Sequence, residues 1–217
     1  MTTLFDLGFR DGIIAETIVS TYDSDGKPNA APMGIVIQNT THLFIRPYVS
    51  SLTYKNLQIT KNAVVNLTVN PRLFYITAFK ETNPNGKLPP ELFQKAKTVS
   101  APRLKMADAF IEVSVEKTGS FGSDRAECLC NVKHVETINA PPYAYCRAKF
   151  ATIEAIVYAT RIELFLKGNK QQQKQALRLL ELVNICTDVV NRTAPTSVYS
   201  DIMADLTQRI DSWRNQK

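Results

Sequence analysis

The first two thirds of the chain consist of short apolar segments separated by turn-forming residues, and this pattern restricts the fold to one built mainly from antiparallel strands. Residues 12–23 (GIIAETIVSTYD) are apolar and rich in β-branched side chains, and the sequence DSDGK at 23–27 predicts a turn. The segments PNAAPMGIVIQN and THLFIRP predict two more strands, with the polar residues NTT between them. Three strands connected in this way form a meander.

Later segments extend the predicted sheet. The strands predicted here are AVVNLTV (63–69), FYITAF (74–79), AFIEVSVEKTG (109–119), AECLCNVKHVE (126–136) and KFATIEAIVYATRIELF (149–165). We expect six or more antiparallel strands to close into a barrel or a curled sheet, because closure leaves no unpaired strand edge.

Two breaks in the strand pattern are also predicted. A short helix is expected from about Ser51 to Thr60, where Leu52, Asn56 and Ile59 have helical spacing. Residues 81–102 contain four prolines and form the longest irregular region, with room for a short helix at ELFQKAK (91–97).

The last fifty residues change to a helical pattern. Apolar residues recur with helical spacing at Leu179, Val183, Cys186 and Val190, and again at Tyr199, Ile202, Leu206, Ile210 and Trp213. The segment NRTAPTS separates the two runs, so they predict a helical hairpin. We therefore expect a barrel domain at 1–167 and a hairpin at 168–217, whose apolar face packs on the barrel or on a second subunit.

The charge pattern argues against a polyanion as the main partner. The net charge of +6 is spread evenly, with an excess of three basic residues in 1–100 and again in 101–217. Nucleic-acid binding requires a basic patch or stripe, and no basic block is visible in the sequence. No apolar run approaches the ~20 residues that span a bilayer. Residues 1–12 lack the pattern of a signal peptide, so we expect a cytoplasmic protein without a membrane partner.

The cysteines are interpreted as buried apolar residues. Cys128 and Cys130 alternate along a predicted strand and should point to one face, and His134 shares their parity. A metal site is the alternative, but a tetrahedral site needs more ligands and usually a turn between paired cysteines. We therefore predict no metal and no disulfide framework.

Common catalytic and nucleotide-binding motifs are absent from the sequence. It contains no G-x-G-x-x-G and no Walker loop. With two histidines, His42 and His134, and no nucleophile elbow, a nucleophile and base pair is difficult to assemble. We assign no catalytic residue and expect any redox chemistry to come from a bound cofactor.

The segment RPYVSSLTYKN (46–56) concentrates groups that bind oxygen. A helix that begins near Ser51 presents free N–H groups to an anion such as phosphate. The hydroxyls of Ser51 and Thr53, the guanidinium of Arg46 and the nearby Lys55 would add donors. The alternative is an ordinary helix cap at Ser50 or Ser51, for which one hydroxyl is enough.

These motifs, taken in order, resemble one superfamily. The set NAAPMG, RPY, TYKNL and VVN is similar to the FMN-binding split-barrel proteins, the fold of flavin reductases and pyridoxamine phosphate oxidases. The segments GFRDGIIAETIVST, PRL and IEAIVYATR, together with the hairpin, resemble a branch of that superfamily known as a domain of unknown function. The resemblance covers nearly the whole chain. It implies a mainly β fold, an antiparallel split β-barrel of the FMN-binding type with a C-terminal helical hairpin.

The resemblance also implies positions for the cofactor. The phosphate would be held by Arg46, Ser51 and Thr53, supported by Lys55 or Asn56. Backbone groups of Ala31, Met33 and Gly34 would follow the edge of the isoalloxazine ring. The remaining site residues implied are Pro47 and Tyr48, which would line the site, and Asn66, whose amide would meet the ring or the ribityl chain. Simpler interpretations are a turn for Gly34, a core aromatic for Tyr48 and a strand-edge residue for Asn66.

The function implied is that of an FMN-binding, nucleotide-binding flavoprotein and oxidoreductase that transfers hydride at a non-covalently held flavin. Split barrels of this kind imply a homodimer that completes the flavin site at the subunit interface, with Arg147 and Arg161 as candidates for partner-facing residues. The sequence names neither the substrate nor the electron donor. The alternatives are a non-catalytic flavin carrier and a basic β-barrel that binds nucleic acid.

Overall fold

A computed structural model describes residues 2–138 and 144–215 and divides the chain into two compact units. The first unit contains the residues up to Asp11 and Ala15–Tyr145. The second contains Gly12–Ile14 and the residues from Cys146 onward.

The first unit is a closed antiparallel barrel, as the sequence predicts. Its strands are β1 (Ala15–Tyr22), β2 (Pro28–Ile37), β3 (His42–Ile45), β4 (Asn62–Leu67), β7 (Ala109–Phe121) and β8 (Arg125–Thr137), with a separate pair formed by β5 (Phe93–Lys95) and β6 (Pro102–Leu104). The barrel order is β1-β2-β3-β8-β7-β4. The predicted short helix is confirmed as α1 (Leu52–Thr60), which connects β3 to β4.

The barrel interior is filled by alternate residues of its strands. Examples are Val19 of β1, Ile35 of β2 and Val65 of β4, all fully buried. Cys128 and Cys130 of β8 belong to the same cluster. The prediction that both cysteines point to one buried face is therefore confirmed.

The prediction that His134 shares the face of the cysteines is wrong. Glu112 pairs with His134 while the next residue, Val113, pairs with Val132, so β8 carries one extra residue at this point. Such a bulge reverses the alternation beyond it. Val132 and Val135 consequently both pack against the interior cluster, and His134 lies on the outer face.

A second apolar cluster covers part of the outer barrel wall. Val64 and Phe110 project outward from the barrel and pack with Leu73, Leu88 and other residues of the segment between β4 and β7. This segment contains α2 (Pro71–Ala78), short 3₁₀ turns at Lys80–Thr82, Pro84–Gly86 and Pro90–Leu92, and the β5-β6 pair.

Two local predictions in this segment are wrong. FYITAF is part of α2 and is not a strand, because the Asn70 side chain accepts the N–H of Arg72 and Pro71 occupies the first helical turn, which is a strong start signal. ELFQKAK is not a helix, because Phe93 to Lys95 pair with Pro102 to Leu104 as β5 and β6.

The second unit consists of three helices in the part of the chain that the structure describes: α3 (Arg147–Leu166), α4 (Lys170–Thr193) and α5 (Val198–Asn215). The predicted hairpin is confirmed as α4 and α5. The strand predicted at 149–165 is wrong, because this segment is α3. Its β-branched content suggested a strand, but Ala148, Ala155 and Ala159 recur with helical spacing and are buried against the other helices. The C-terminal part of the second unit therefore begins at Cys146, earlier than the expected boundary at 168.

Candidate functional site

The barrel is incompletely paired along part of β2. β1 pairs with β2 from Pro28 to Ile35, whereas β3 pairs with it only from Ile35 to Ile37. Among the described residues, the stretch from Pro28 to Gly34 therefore has a neighbouring strand on one side alone. Backbone N–H and C=O groups on an open edge need partners, and a bound ligand can provide them.

The three backbone positions predicted to meet the flavin ring lie on this open edge. Ala31, Met33 and Gly34 are all partly buried. The hydroxyl of Thr17, on β1, donates to the carbonyl of Met33 at 2.9 Å, and this hydrogen bond holds that part of β2 against β1. These residues therefore lie together on the part of β2 that extends beyond β3, and their contact with a ligand stays a prediction.

Ser51 acts as the N-cap of α1. Its hydroxyl accepts the backbone N–H of Tyr54 at 3.2 Å and donates to the carbonyl of Tyr48 at 2.7 Å. This is the ordinary capping geometry that the sequence left as the alternative for this residue.

Thr53 belongs to a buried hydrogen-bonded chain that reaches a lysine. The amide nitrogen of Asn29, on β2, donates to the hydroxyl of Thr53 at 3.3 Å, and Lys80 Nζ donates to the amide oxygen of Asn29. Thr53 and Asn29 are only 2% and 4% exposed. Burial lowers the pKa of Lys80. The chain thus connects α1 and β2 to the 3₁₀ turn that follows α2.

A cleft of about 660 Å³ opens beside Lys80 and Asn29. Its walls come from the β1-β2 turn, the first residue of α1 and the segment after α2. Its charged lining residues are Lys27, Lys80, Lys87, Asp23 and Glu91, and its other lining residues include Leu52, Leu88 and four prolines. A volume of this size is typical of small-molecule sites, and mainly apolar walls with a few polar groups are also typical of them.

Arg46 follows β3 and is already paired. Its Nε and Nη2 both lie 2.7 Å from Oε2 of Glu127, a residue of β8. Its guanidinium also stacks over the ring of Phe121, with Cζ 4.0 Å from the ring centroid. Arg46 is not among the residues that line the cleft.

Pro47 and Tyr48 attach the segment before α1 to β8. The carbonyl of Pro47 accepts the N–H of Ala126 at 3.0 Å. The hydroxyl of Tyr48 accepts from Arg125 Nη2 at 2.8 Å, and the same guanidinium lies 4.3 Å above its ring. Tyr48 is 49% exposed, so its interpretation as a core aromatic is wrong.

The remaining predicted residues have different surroundings. Lys55 is exposed on α1. Asn56 is buried and donates to the hydroxyl of Thr21 at 2.9 Å. Asn66 is fully buried, donates to the carbonyl of Ile18 at 2.8 Å and accepts the N–H of Leu104 at 2.8 Å. Both asparagines therefore hold the scaffold together, and the ligand contacts predicted for them stay predictions.

A separate polar cluster fastens the segment between β4 and β7 to the barrel wall. The buried carboxylate of Glu112 accepts the N–H of Lys97 at 2.7 Å and both the N–H and the hydroxyl of Thr98 at 2.6 Å. Burial raises the pKa of Glu112, but the hydrogen bonds from Thr98 and Lys97, aided by His134, outweigh it and bring the pKa below its usual value. The carboxylate is therefore charged at neutral pH.

Two further kinds of site are absent from residues 2–138 and 144–215. No group of three or more His, Cys, Asp or Glu side chains there is placed to hold a metal ion. No helix in that part of the chain combines the length and the apolar character needed to cross a membrane.

A family model described as the N-terminal domain of a protein of unknown function (DUF447) matches residues 15–139. No curated protein matches the sequence.

Three solved structures share the fold. An FMN-bound DUF447 protein from Methanosarcina mazei has a TM-score of 0.54 and 24% identity, covering 94% of this chain and 98% of that one. Flavoredoxin from Desulfovibrio vulgaris (Miyazaki F) has a TM-score of 0.51 and 14% identity, covering 58% of this chain and 70% of that one. The flavin reductase component of a bacterial two-component tryptophan halogenase has a TM-score of 0.50 and 13% identity, covering 59% of this chain and 83% of that one. The fold predicted from the sequence, an antiparallel split barrel with C-terminal helices, is confirmed.

Proposed function

The chain belongs to the DUF447 family through its N-terminal domain, and from this premise we propose that it is a flavoprotein that binds FMN non-covalently. The FMN-bound family structure from Methanosarcina mazei covers 94% of this chain, which supports the choice of cofactor. Flavoredoxin and the halogenase flavin reductase support a flavin more generally.

The observation that carries the proposal is the open edge of β2 beside the cleft. A flavin ring has hydrogen-bonding atoms along one edge and apolar faces. The stretch from Pro28 to Gly34, which among the described strands pairs with β1 alone, offers backbone groups along its other side, and the exposed side chain of Leu52 lies at the start of α1. The residues present therefore fit an extended, planar ligand with a polar edge.

The reaction that we propose is an oxidoreduction with a substrate still to be identified. FMN supplies the electron-transfer chemistry when it is bound. The chain binds and orients the ring through the β2 edge. No protein side chain is assigned a proton-transfer role.

The test is spectroscopic. Protein purified and then supplied with FMN should show the absorption of a bound flavin, and an anaerobic titration with NADH or NADPH should bleach it. Binding without bleaching by either donor favours a flavin carrier over an oxidoreductase. A protein that binds neither FMN nor riboflavin contradicts the proposal.

We also propose that the protein is a homodimer. The support lies on α3, whose exposed face carries Ile153, Val157 and Leu164 in a row, opposite the alanine face packed against the other helices. A helix that is apolar on two faces is usually buried on both. On this proposal the second copy covers the exposed face.

The charges around this face fit a copy of itself. In an antiparallel pair centred on Val157, Glu154 of one copy lies near Arg161 of the other, and the apolar row meets its own counterpart. Such self-complementarity is what a two-fold interface requires. Arg161, predicted to face the partner, fits this arrangement.

Val157→Glu tests the assembly, because it places two carboxylates together at the two-fold axis. We expect light scattering to report a monomer for this variant and a dimer for Leu177→Glu, a control at an exposed apolar position of α4. An unaltered protein that is monomeric while it retains flavin excludes a shared flavin site. A cytoplasmic location is likewise a prediction from the sequence.

A further inference from the structure

We propose that Lys80 is the charged ligand of the flavin phosphate, and that the phosphate end of FMN occupies the cleft beside Asn29, away from Arg46. This inference rests on the proposed FMN binding and names the residue that would distinguish FMN from riboflavin.

Among the described residues, Lys80 is a cation without an acidic partner. Its ammonium group donates to the neutral amide oxygen of Asn29, and no carboxylate among the described residues lies within 4.0 Å of it. The ammonium group is also partly removed from water, which lowers its pKa. A desolvated cation that lacks a counter-ion is stabilised when an anion binds, so this position is suited to a phosphate.

The lysine is held in place by a neutral chain that does not cancel its charge. Asn29 is hydrogen-bonded to both Lys80 and Thr53, and the residue is only 4% exposed. The lysine is thereby positioned by β2 and α1. The sequence predicted Thr53 as a direct phosphate ligand. On this proposal Thr53 instead accepts a hydrogen bond from Asn29 and thereby helps to position Asn29, which in turn binds Lys80.

The charge of the cleft favours an anion. Three lysines and two carboxylates line it. One of the carboxylates, Asp23, already accepts the backbone N–H groups of Asp25 and Lys27 at 2.9 and 2.8 Å, which compensates part of its charge. Of the three lysines, Lys27 is paired with Asp25 at 3.1 Å, so among the described residues Lys80 and Lys87 carry the positive charge that is available to a phosphate.

The position of the cleft also matches the proposed ring site. Pro28 and Asn29 line the cleft and begin β2, while Ala31 to Gly34 continue the same open edge. At about 3.3 Å per residue, Asn29 and Met33 are roughly 13 Å apart along the strand. An extended flavin mononucleotide can span that distance with its ring at one end and its phosphate at the other.

The test compares FMN with riboflavin, which has the same ring and no phosphate. Lys80→Met keeps most of the side-chain volume and removes the charge, so FMN should bind about tenfold to a hundredfold more weakly. Riboflavin should bind within about threefold of its original affinity. Lys80→Arg should retain part of the preference for FMN. Lys95→Met, at an exposed lysine outside the cleft lining, is the matched control and should change neither affinity.

Each result has one meaning. An unchanged FMN to riboflavin ratio in Lys80→Met, or an equal loss of both ligands, overturns the assignment of Lys80 while FMN binding itself stands. A protein that binds no FMN overturns both this inference and the proposed function.

A measurement on the unaltered protein covers the case in which Lys80→Met does not fold. Acetylation of Lys80 by an amine-reactive reagent, followed by mass spectrometry, should be suppressed by FMN and much less by riboflavin. Equal protection by the two flavins, or protection by neither, also overturns the assignment.

Discussion

Arg46 and Lys80 are two cations of the same barrel unit held in opposite ways. Arg46 has a carboxylate at 2.7 Å and an aromatic ring beneath its guanidinium. Lys80 has a neutral amide partner and faces a cleft. The comparison shows that a basic residue near a helix start is not by itself a free anion ligand, because the charge must also be left uncompensated by the fold.

A cation paired with a carboxylate, such as Arg46, should contribute to the free energy of unfolding, whereas a cation with a neutral partner, such as Lys80, should contribute to anion binding. Glu112 extends the comparison, since it is a buried carboxylate whose oxygens are bonded to the N–H groups of Lys97 and Thr98 and to the hydroxyl of Thr98.

The largest effect on stability is expected at Glu112. Glu112→Gln turns an amide N–H₂ toward groups that also donate, so the free energy of unfolding should fall by about 2 to 4 kcal/mol. Urea unfolding at neutral pH measures this loss. Gln94→Glu, a partly buried position on β5 without these contacts, is a control that should change stability much less.

The same carboxylate predicts a pH dependence. Because the pKa of Glu112 is lowered in the folded protein, the unfolded state binds more protons between the two pKa values. Its contribution is therefore complete above the unfolded pKa of about 4.3 and is lost as the pH falls through the folded pKa. Acid titrations should show this loss in the original protein and a smaller one in Glu112→Gln. Parallel curves for the two proteins contradict the assignment.

An intermediate effect is expected at Arg46. Arg46→Met leaves Glu127 without its partner and removes the stacking on Phe121. Because both side chains of the pair are about a quarter exposed, the loss in unfolding free energy should be only about 1 to 2 kcal/mol. The double variant Arg46→Met with Glu127→Gln should recover part of this loss. If the single and double variants are equally unstable, the ion pair is not the cause.

The smallest effect on stability is expected at Lys80. Lys80→Met removes a cation whose desolvation is not balanced by an acid, so the free energy of unfolding should stay within about 0.5 kcal/mol of the original or rise slightly. The same urea experiment measures it. A loss as large as that of Arg46→Met would mean that Lys80 is part of the scaffold.

The barrel could be predicted from the sequence because its strands alternate locally. The interior positions of β1, β4 and the first half of β8 follow this alternation, and the cysteines of β8 follow it as well. The alternation beyond Val132 could not be predicted, because the bulge depends on pairing with β7.

The two mistaken strands have a common cause. FYITAF and the segment at 149–165 are rich in β-branched and aromatic residues, which favour strands when nothing else decides. In the first case Asn70 and Pro71 gave a helix start that the prediction overlooked. In the second, the recurring alanines decide the fold by packing against α4 and α5.

The candidate site was only partly predictable. The strand predicted at NAAPMG is part of β2, and the helix predicted to begin near Ser51 is α1, whereas the ligand contacts of both segments stay predictions. The pairing of Arg46 with Glu127 joins residues 81 positions apart, and no local pattern indicates it. Lys80 follows a helix that was predicted as a strand, so its place beside Asn29 could be recognised only in the folded chain.

The most direct test of the account is the ratio of FMN to riboflavin affinity, measured by calorimetric titration for the original protein, Lys80→Met and Arg46→Met. The account predicts a ratio well above one in the original protein, a fall of about tenfold or more in Lys80→Met, and little change in Arg46→Met. The opposite outcome, in which the ratio falls in Arg46→Met and persists in Lys80→Met, would return the phosphate to Arg46 and contradict the account.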